Sequence, residues 1–248
     1  MRLTRVHVEG PLVSGKRIRL EGNAASHVTR VLRLRVGAQL TLFDGSGGEY
    51  EGSIDKAHGG EVTVAIGAHH AIERESPLAV TLAQGVSRGE RMDLVVQKAT
   101  ELGVTRLVPV LTERSVVRLS AQQSDRKMNH WRAITIAACE QCGRNRPPAV
   151  APPVTLAEFL RDGGTAGAVS PGARLLLSPE GSGTLEGLKR PLTAVTVLIG
   201  PEGGLTEEEE LTAVKAGFTA VRLGPRVLRT ETAAIAALTL LQRELGDF

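Results

Sequence analysis

Apolar and polar positions alternate in short steps through the first third of the chain and change to helical spacing beyond it. Residues 2–8, 16–20, 39–44, 49–56 and 61–66 read as strands, with a short helix over 23–32 among them. Asp44-Gly45-Ser46-Gly47-Gly48 makes a hairpin loop from residues that accept positive φ. Strands this short, with so little helix, predict a small barrel. The polar, charged stretch 69–77 ends in Pro77 and marks a boundary; His69 and His70 read as solvated linker residues.

After Pro77 strands and helices take turns. Residues 78–83 form an apolar run, then Met92, Val95, Val96, Ala99 and Leu102 recur at helical spacing until Gly103. A strand over 107–111 precedes a long helix over 125–142, stopped by Gly143 and the proline-bearing stretch 147–153. Strands follow at 174–177 and 194–199, a helix over 206–216, a strand near Val221 and a last helix over 230–245. Such alternation implies a mostly parallel α/β sheet. The last helix is apolar from 233 to 241 except for Thr239, so it needs cover on several sides. A subunit interface or a central place in the monomer would supply that cover, and the interface is favoured.

Composition narrows the class. With 248 residues, 42% hydrophobic and 23% charged, the chain has the material for one large or two small domains, and disorder, collagen and coiled coil are excluded. Apolar stretches stop well short of the roughly 18 residues a membrane span requires, and residues 1–13 lack a signal-peptide core, so a soluble cytoplasmic protein is expected. Two cysteines and six histidines without ligand spacing give no disulfide framework and no expected metal.

The net charge is only +3, but it is segregated: residues 1–35 hold eight Lys/Arg against two Glu, residues 36–75 two against seven acids, and residues 88–146 eleven against six. Basic stretches of this kind suit a polyanion, although an arginine-rich solvated surface reads the same way. Aromatics are 2% of the chain, so a nucleic acid would be held through its phosphates rather than by a row of stacking rings.

Three expected strand ends lead into unusual loops: Leu177-Ser178-Pro179-Glu180-Gly181, Ile199-Gly200-Pro201-Glu202-Gly203-Gly204, and the run from Leu223-Gly224-Pro225 to Thr230-Glu231-Thr232. Ligands of open parallel sheets bind outside the carboxyl ends of the strands, where all three would lie. A single such loop can be no more than a tight turn; three on one edge point to a ligand. Phosphate is the usual guest of a glycine loop opening a helix, but Thr206-Glu207-Glu208-Glu209-Glu210 places carboxylates there, which repel a di- or triphosphate. No Walker pattern exists, and Gly181, Gly183 and Gly187 miss the dinucleotide spacing by one residue. A ligand with positive charge or a neutral adenosine fits better; S-adenosylmethionine is one.

The segments His27-Val28-Thr29-Arg30-Val31-Leu32-Arg33, Gln97-Lys98-Ala99-Thr100-Glu101-Leu102-Gly103-Val104, Glu140-Gln141 with Arg144, Ile199 to Gly204, and Leu223-Gly224 through Arg229-Thr230-Glu231-Thr232-Ala233 together resemble the bacterial 16S ribosomal RNA uracil-N3 methyltransferase family. The resemblance implies a PUA-like RNA-binding β-barrel over residues 1–72 and a SPOUT-class α/β methyltransferase domain over 73–248. It also implies a parallel sheet threaded into a deep trefoil knot, S-adenosylmethionine in the knot loops and a homodimer. It makes Cys139 and Cys142 helix-packing residues rather than a redox pair; His27 reads as a local hydrogen-bonding residue, with RNA contact as the alternative.

On that footing Leu177, Ile199, Leu223 and Leu228 wall the adenosine, with Gly200, Glu202, Gly203 and Gly224 completing the cofactor site. Arg229 steadies charge on the base carbonyl and Glu231 removes the N3 proton, unless Glu231 is only a first-turn acid. Arg2, Arg5, Arg30, Arg33 and Arg35 of the first domain, with Arg88, Arg91, Lys98 and Arg114 of the second, are the RNA candidates, and 16S ribosomal RNA within the small subunit is the expected partner. No metal is needed, since a sulfonium is already an activated donor. Ribose 2′-O methylation by the same class of domain, or a non-catalytic RNA-binding or assembly factor, are the alternatives; a dinucleotide enzyme is third.

Overall fold

Two sheets organise the chain in the computed structural model, which describes residues 4–26, 28–29, 32–58, 61–115, 120–161, 172–188 and 191–248. Each belongs to its own compact unit: Met1–Glu75 with Cys139–Pro147 in the first, Ser76–Ala138 with Pro148–Phe248 in the second.

The first unit is a five-stranded mixed sheet. Strands β1 (Thr4–His7), β2 (Arg17–Leu20), β3 (Gln39–Phe43), β4 (Glu49–His58) and β5 (Glu61–His70) lie in the order β1-β3-β4-β5-β2. Only β1 and β3 run parallel; the other neighbours are antiparallel. Alternate residues turn inward, so Val62, Val64 and Ile66 of β5 meet Leu40 and Leu42 of β3 and Ile54 of β4 in one core. Between β2 and β3, within the expected helix over 23–32, the described residues hold α1 (Gly22–Ser26) and a wider, π-type helical turn at Val28 and Thr29. Residues 27, 30 and 31 of that stretch lie outside the described residues.

His69 and His70 correct the linker reading. Both belong to β5, paired with Tyr50 and Glu49 of β4. The His69 ring lies 4.6 Å from that of Tyr50, and His70 Nε2 is 2.9 Å from Glu51 Oε1. A backbone ladder asks nothing of hydrophobicity, so the apolar pattern gives no sign of it.

The division between units falls between Glu75 and Ser76, three residues beyond the sequence boundary at 72. The charged residues there are held by the first unit itself: Glu73 accepts from Gly48 N–H (2.9 Å) and pairs with Arg146, Arg74 pairs with Glu49, and Glu75 receives Arg144. Segment 139–147 joins the first unit through these bonds and through Asn145, whose amide donates to the Ile72 carbonyl.

The second unit is a parallel sheet of β6 (Ala79–Gly85), β7 (Arg106–Leu111), β8 (Ala149–Val150), β9 (Val154–Thr155), β10 (Ala173–Leu177), β11 (Ala194–Ile199) and β12 (Thr219–Val221). The order is β12-β10-β11-β6-β7-β8, with β9 also on β7, and every pairing is parallel. The chain thus lays β10 two places from β6, inserts β11 between them, then adds β12 outside β10. All six residues of β11 are buried, as a central strand covered on both faces requires.

Helices α2 (Glu90–Glu101) and α6 (Thr230–Leu245) pack together over one face of this sheet. Met92, Val95, Val96 and Ala99 meet Ala234, Leu238 and Leu241 there, above Val80, Leu82 and Val197. The opposite face carries Ala83, Val108 and Leu198 against Phe159 and Phe218. One side of α6 therefore finds cover inside its own unit, and the buried Gln242 anchors it, donating to the Leu102 carbonyl (2.8 Å) and accepting from Ser76 (2.7 Å).

Helix α3 (Ala121–Cys142) begins a turn earlier than expected because Ser120 and Gln123 form a reciprocal cap, each side chain accepting from the other's backbone N–H. The short β8, β9 and α4 (Leu156–Arg161) carry too few residues for a periodic signal, so the sequence shows only a proline-bearing break there. Among the described residues no helix is long and apolar enough to cross a membrane.

Candidate functional site

Register alone brings the three suspect loops together. Leu177 of β10 pairs with Ile199 of β11 and with Val221 of β12, and Ile199 pairs with Gln84 of β6. Four strands therefore end level, and loops 178–181, 200–205 and 222–229 leave from one edge, at the point where the strand order reverses. Between them lies a cavity of about 370 Å³. Leu177, Ile199, Leu223 and Leu228 give it apolar walls, and Gly200, Glu202, Arg229 and Glu231 also line it.

Close backbone approach shapes the floor. A Cβ on Gly85 would collide with the backbone of Gly200 and Pro201, and one on Gly200 would stand 2.9 Å from Gly204 and Leu205 backbone atoms. Buried Gln84 sews the junction: its amide donates to Thr230 Oγ1 (2.9 Å) and to the Gly200 carbonyl (3.3 Å), while Thr230 donates to the same carbonyl at 2.7 Å. The start of α6, with Arg229 and Glu231 on either side of Thr230, is thus fixed to the β11 loop.

Of the four acids opening α5 (Glu207–Lys215), one reaches the cavity. Glu209 is occupied by a capping box with the N-cap Thr206 and by the Glu113 N–H (2.8 Å). Glu210 lines the wall and accepts from Ser178 at 2.9 Å. Glu207 and Glu208 are exposed and outside the wall, so the repulsion of phosphate expected from all four acids falls to Glu210. Glu210 was legible as an acid but not as the one facing inward; helix phase decides that.

Glu202 is in the wall with its carboxylate already committed, accepting from Arg88 N–H (2.9 Å) and Arg91 (3.0 Å). Burial pushes its carboxyl up, but these bonds and its own backbone N–H outweigh burial and hold it below the usual range. Two expected cofactor residues stand back from the cavity. Gly203 offers its carbonyl to Arg114 (3.0 Å), and Gly224, at φ 75°, bends the loop without lining the wall. Both expected catalytic residues do line it, and one oxygen of Glu231, Oε2, is buried with no hydrogen-bond partner among the described residues.

The RNA candidates separate. Arg5 is a correction: its side chain is 4% exposed, paired with Glu49, bonded to Asn145 and stacked 4.9 Å over Phe43, so its charge is spent inside the first unit. Arg33 and Arg35 are exposed, and Arg2 and Arg30 lie outside the described residues. In the second unit Arg88 is exposed, Arg91 pairs with Glu202, Lys98 with Glu101 (2.8 Å), and Arg114 is bonded to the carbonyls of Gly203 and Leu205. Arg222 and Arg226, not singled out from the sequence, are exposed residues of the cavity wall. No metal-ligating group occurs among the described residues. Cys139 is buried and unbridged, and a hydrogen bond with Cys142 together with burial pushes its thiol far up.

A family described as "RNA methyltransferase domain" matches residues 74–242, and one described as "RNA methyltransferase PUA domain" matches 20–67. A putative methyltransferase from Legionella pneumophila, solved with the cofactor SAM bound, is 42% identical over 100% of both chains, with a TM-score of 0.93. A ribosomal RNA small subunit methyltransferase E from Neisseria gonorrhoeae, bound to S-adenosyl methionine, is 37% identical over 100% of both, TM-score 0.89. The protein of that name from Buchnera aphidicola is 30% identical over 99% of this chain and 98% of its own.

Proposed function

The chain belongs to the RNA methyltransferase family, and from that premise we propose that it transfers a methyl group from S-adenosylmethionine to N3 of one uridine in small-subunit (16S) ribosomal RNA. The observation that carries the reading is the cavity at the sheet edge: apolar walls for an adenosine, and a buried carboxylate oxygen of Glu231 with no partner among the described residues. That oxygen and the Glu210 carboxylate fit a cationic, phosphate-free ligand. Leu177, Ile199, Leu223 and Leu228 would hold it from the sides and the Gly200 backbone from below.

When bound, the cofactor supplies a methyl already activated on a sulfonium. The protein's part is to make N3 a nucleophile. Uridine N3 carries a proton at neutral pH, so its lone pair must be freed as the new C–N bond forms. Glu231 takes that proton, and Arg229 steadies the negative charge that spreads to the flanking carbonyl oxygens. The Gln84–Thr230–Gly200 junction keeps both residues at a fixed distance from the cofactor loops.

Exposed Arg33, Arg35 and Arg88, with Arg222 and Arg226 at the mouth, are the phosphate ligands we assign, together with Arg2 and Arg30. Insertion of β11 between β10 and β6 is where the trefoil knot would close. A homodimer would cover the outer side of α6, where Leu240 is exposed and Ile235 half-buried; a cytoplasmic protein working on the small subunit completes the reading.

The test incubates the protein and labelled S-adenosylmethionine with small ribosomal subunits from a strain lacking the modification, then locates the methyl group by mass spectrometry. Label on a uracil base is expected. A phosphodiester made resistant to alkali would instead mean ribose 2′-O transfer, and no label at all would sink the enzyme reading.

A further inference from the structure

Val227 is 80% exposed, more than any other large apolar side chain among the described residues, and it stands in the cavity wall. A single exposed aliphatic residue is ordinary on a surface; its neighbours make this one different. Arg222, Arg226 and Arg229 of the same loop are exposed, and none has an ion-pair partner among the described residues. Pro225 fixes φ two residues before Val227, and Thr230 pins the loop's far end to the Gly200 carbonyl. The loop therefore presents a stiff, β-branched apolar tip between cations. Among the described residues no aromatic side chain lines the cavity to take a base by stacking.

N3 lies on the Watson–Crick edge of uracil, so a uridine attacked there must leave its pairing and turn toward the cofactor. Proteins that open a nucleic-acid stack commonly fill the gap with an aliphatic wedge flanked by cations on the phosphates. We propose that Val227 is this wedge: it enters the RNA stack in place of the extruded uridine while Arg222 and Arg226 hold the adjoining phosphates. The inference rests on the uridine-methylation reading above and adds how the base is delivered.

The experiment compares wild type, Val227→Ser and Val227→Leu in single-turnover methyl transfer to saturating small ribosomal subunits from a strain lacking the modification. Calorimetry with S-adenosylmethionine, thermal unfolding and sedimentation accompany it. At saturating cofactor, Val227→Ser is expected to transfer about tenfold more slowly or worse, and Val227→Leu within about threefold of wild type, with the unfolding midpoint unchanged in both. Val227→Ser within about twofold of wild type would overturn the wedge. So would a change of oligomeric state in that variant, since the side chain would then be covered by a second copy. Wild-type protein that binds the cofactor but labels no subunit overturns the substrate reading itself, and the wedge with it, a failure visible without any variant.

Discussion

Arginine does opposite work in the two sheets. In the first unit Arg5, Arg74 and Arg144 are absorbed by Glu49, Glu75 and nearby carbonyls, and the segment 139–147 is held by that absorption. On loop 222–229 of the second unit, Arg222, Arg226 and Arg229 have no such partners among the described residues and face a cavity. The same residue type is a structural tie where carboxylates surround it and, among the described residues, lines a cavity without an ion-pair partner where apolar walls do. A count of basic residues does not tell these apart; pairing does.

The sharpest way to break the contrast is at the cavity. Replacing Glu231 by Gln keeps shape and removes the base, and should lower methyl transfer by about 10²–10⁴ while calorimetry still shows cofactor binding. Unchanged turnover would return Glu231 to a first-turn acid. The corresponding change in the first unit is Arg5→Ala, which leaves the buried Asn145 Oδ1 without its donor and Glu49 with Arg74 alone. Breaking a buried pair of this kind costs about 3–5 kcal/mol, read as a lower denaturation midpoint, with cofactor affinity unaffected. A midpoint shift under about 1 kcal/mol would mean that Arg5 is dispensable to the fold.

Arg222→Ala with Arg226→Ala should leave the midpoint alone and flatten the salt dependence of RNA binding, by roughly one unit of slope for each phosphate no longer neutralised. An unaltered slope would place RNA elsewhere. The smallest effect expected is with pH. Burial raises the Glu49 carboxyl, but hydrogen bonds and charge from Arg5 and Arg74 outweigh it and leave it below its ordinary value. A carboxyl lowered in the folded state contributes stability above its unfolded pKa and loses it as pH falls through the folded one. Unfolding monitored below the usual glutamate range should therefore show a loss of stability that Glu49→Gln lessens.

Much of the fold was open to the sequence because its cues are local. Alternation found β3, a continuous apolar run found β11, helical spacing found α2, and Thr206 followed by acids marked the start of α5. The three loops at the sheet edge were legible because glycine and proline betray a turn wherever they stand. Gly203 and Gly224 carried the same signal yet do not line the cavity, and Arg226 lines it with no signal beyond its charge. The early start of α3 did have one, the Ser120–Gln123 spacing of a capping box.

The sequence by itself determined the period of the longer elements, the stiff turns at the sheet edge and the family. Only the tertiary structure decided that β11 slips between β10 and β6, that Glu210 is the acid facing inward, and that Arg5 finds Asn145 140 residues away. The reason is range. Backbone propensity and periodicity act over a few neighbouring residues, whereas strand order and charge pairing join residues far apart in the chain, so their outcome exists only once the chain has closed on itself.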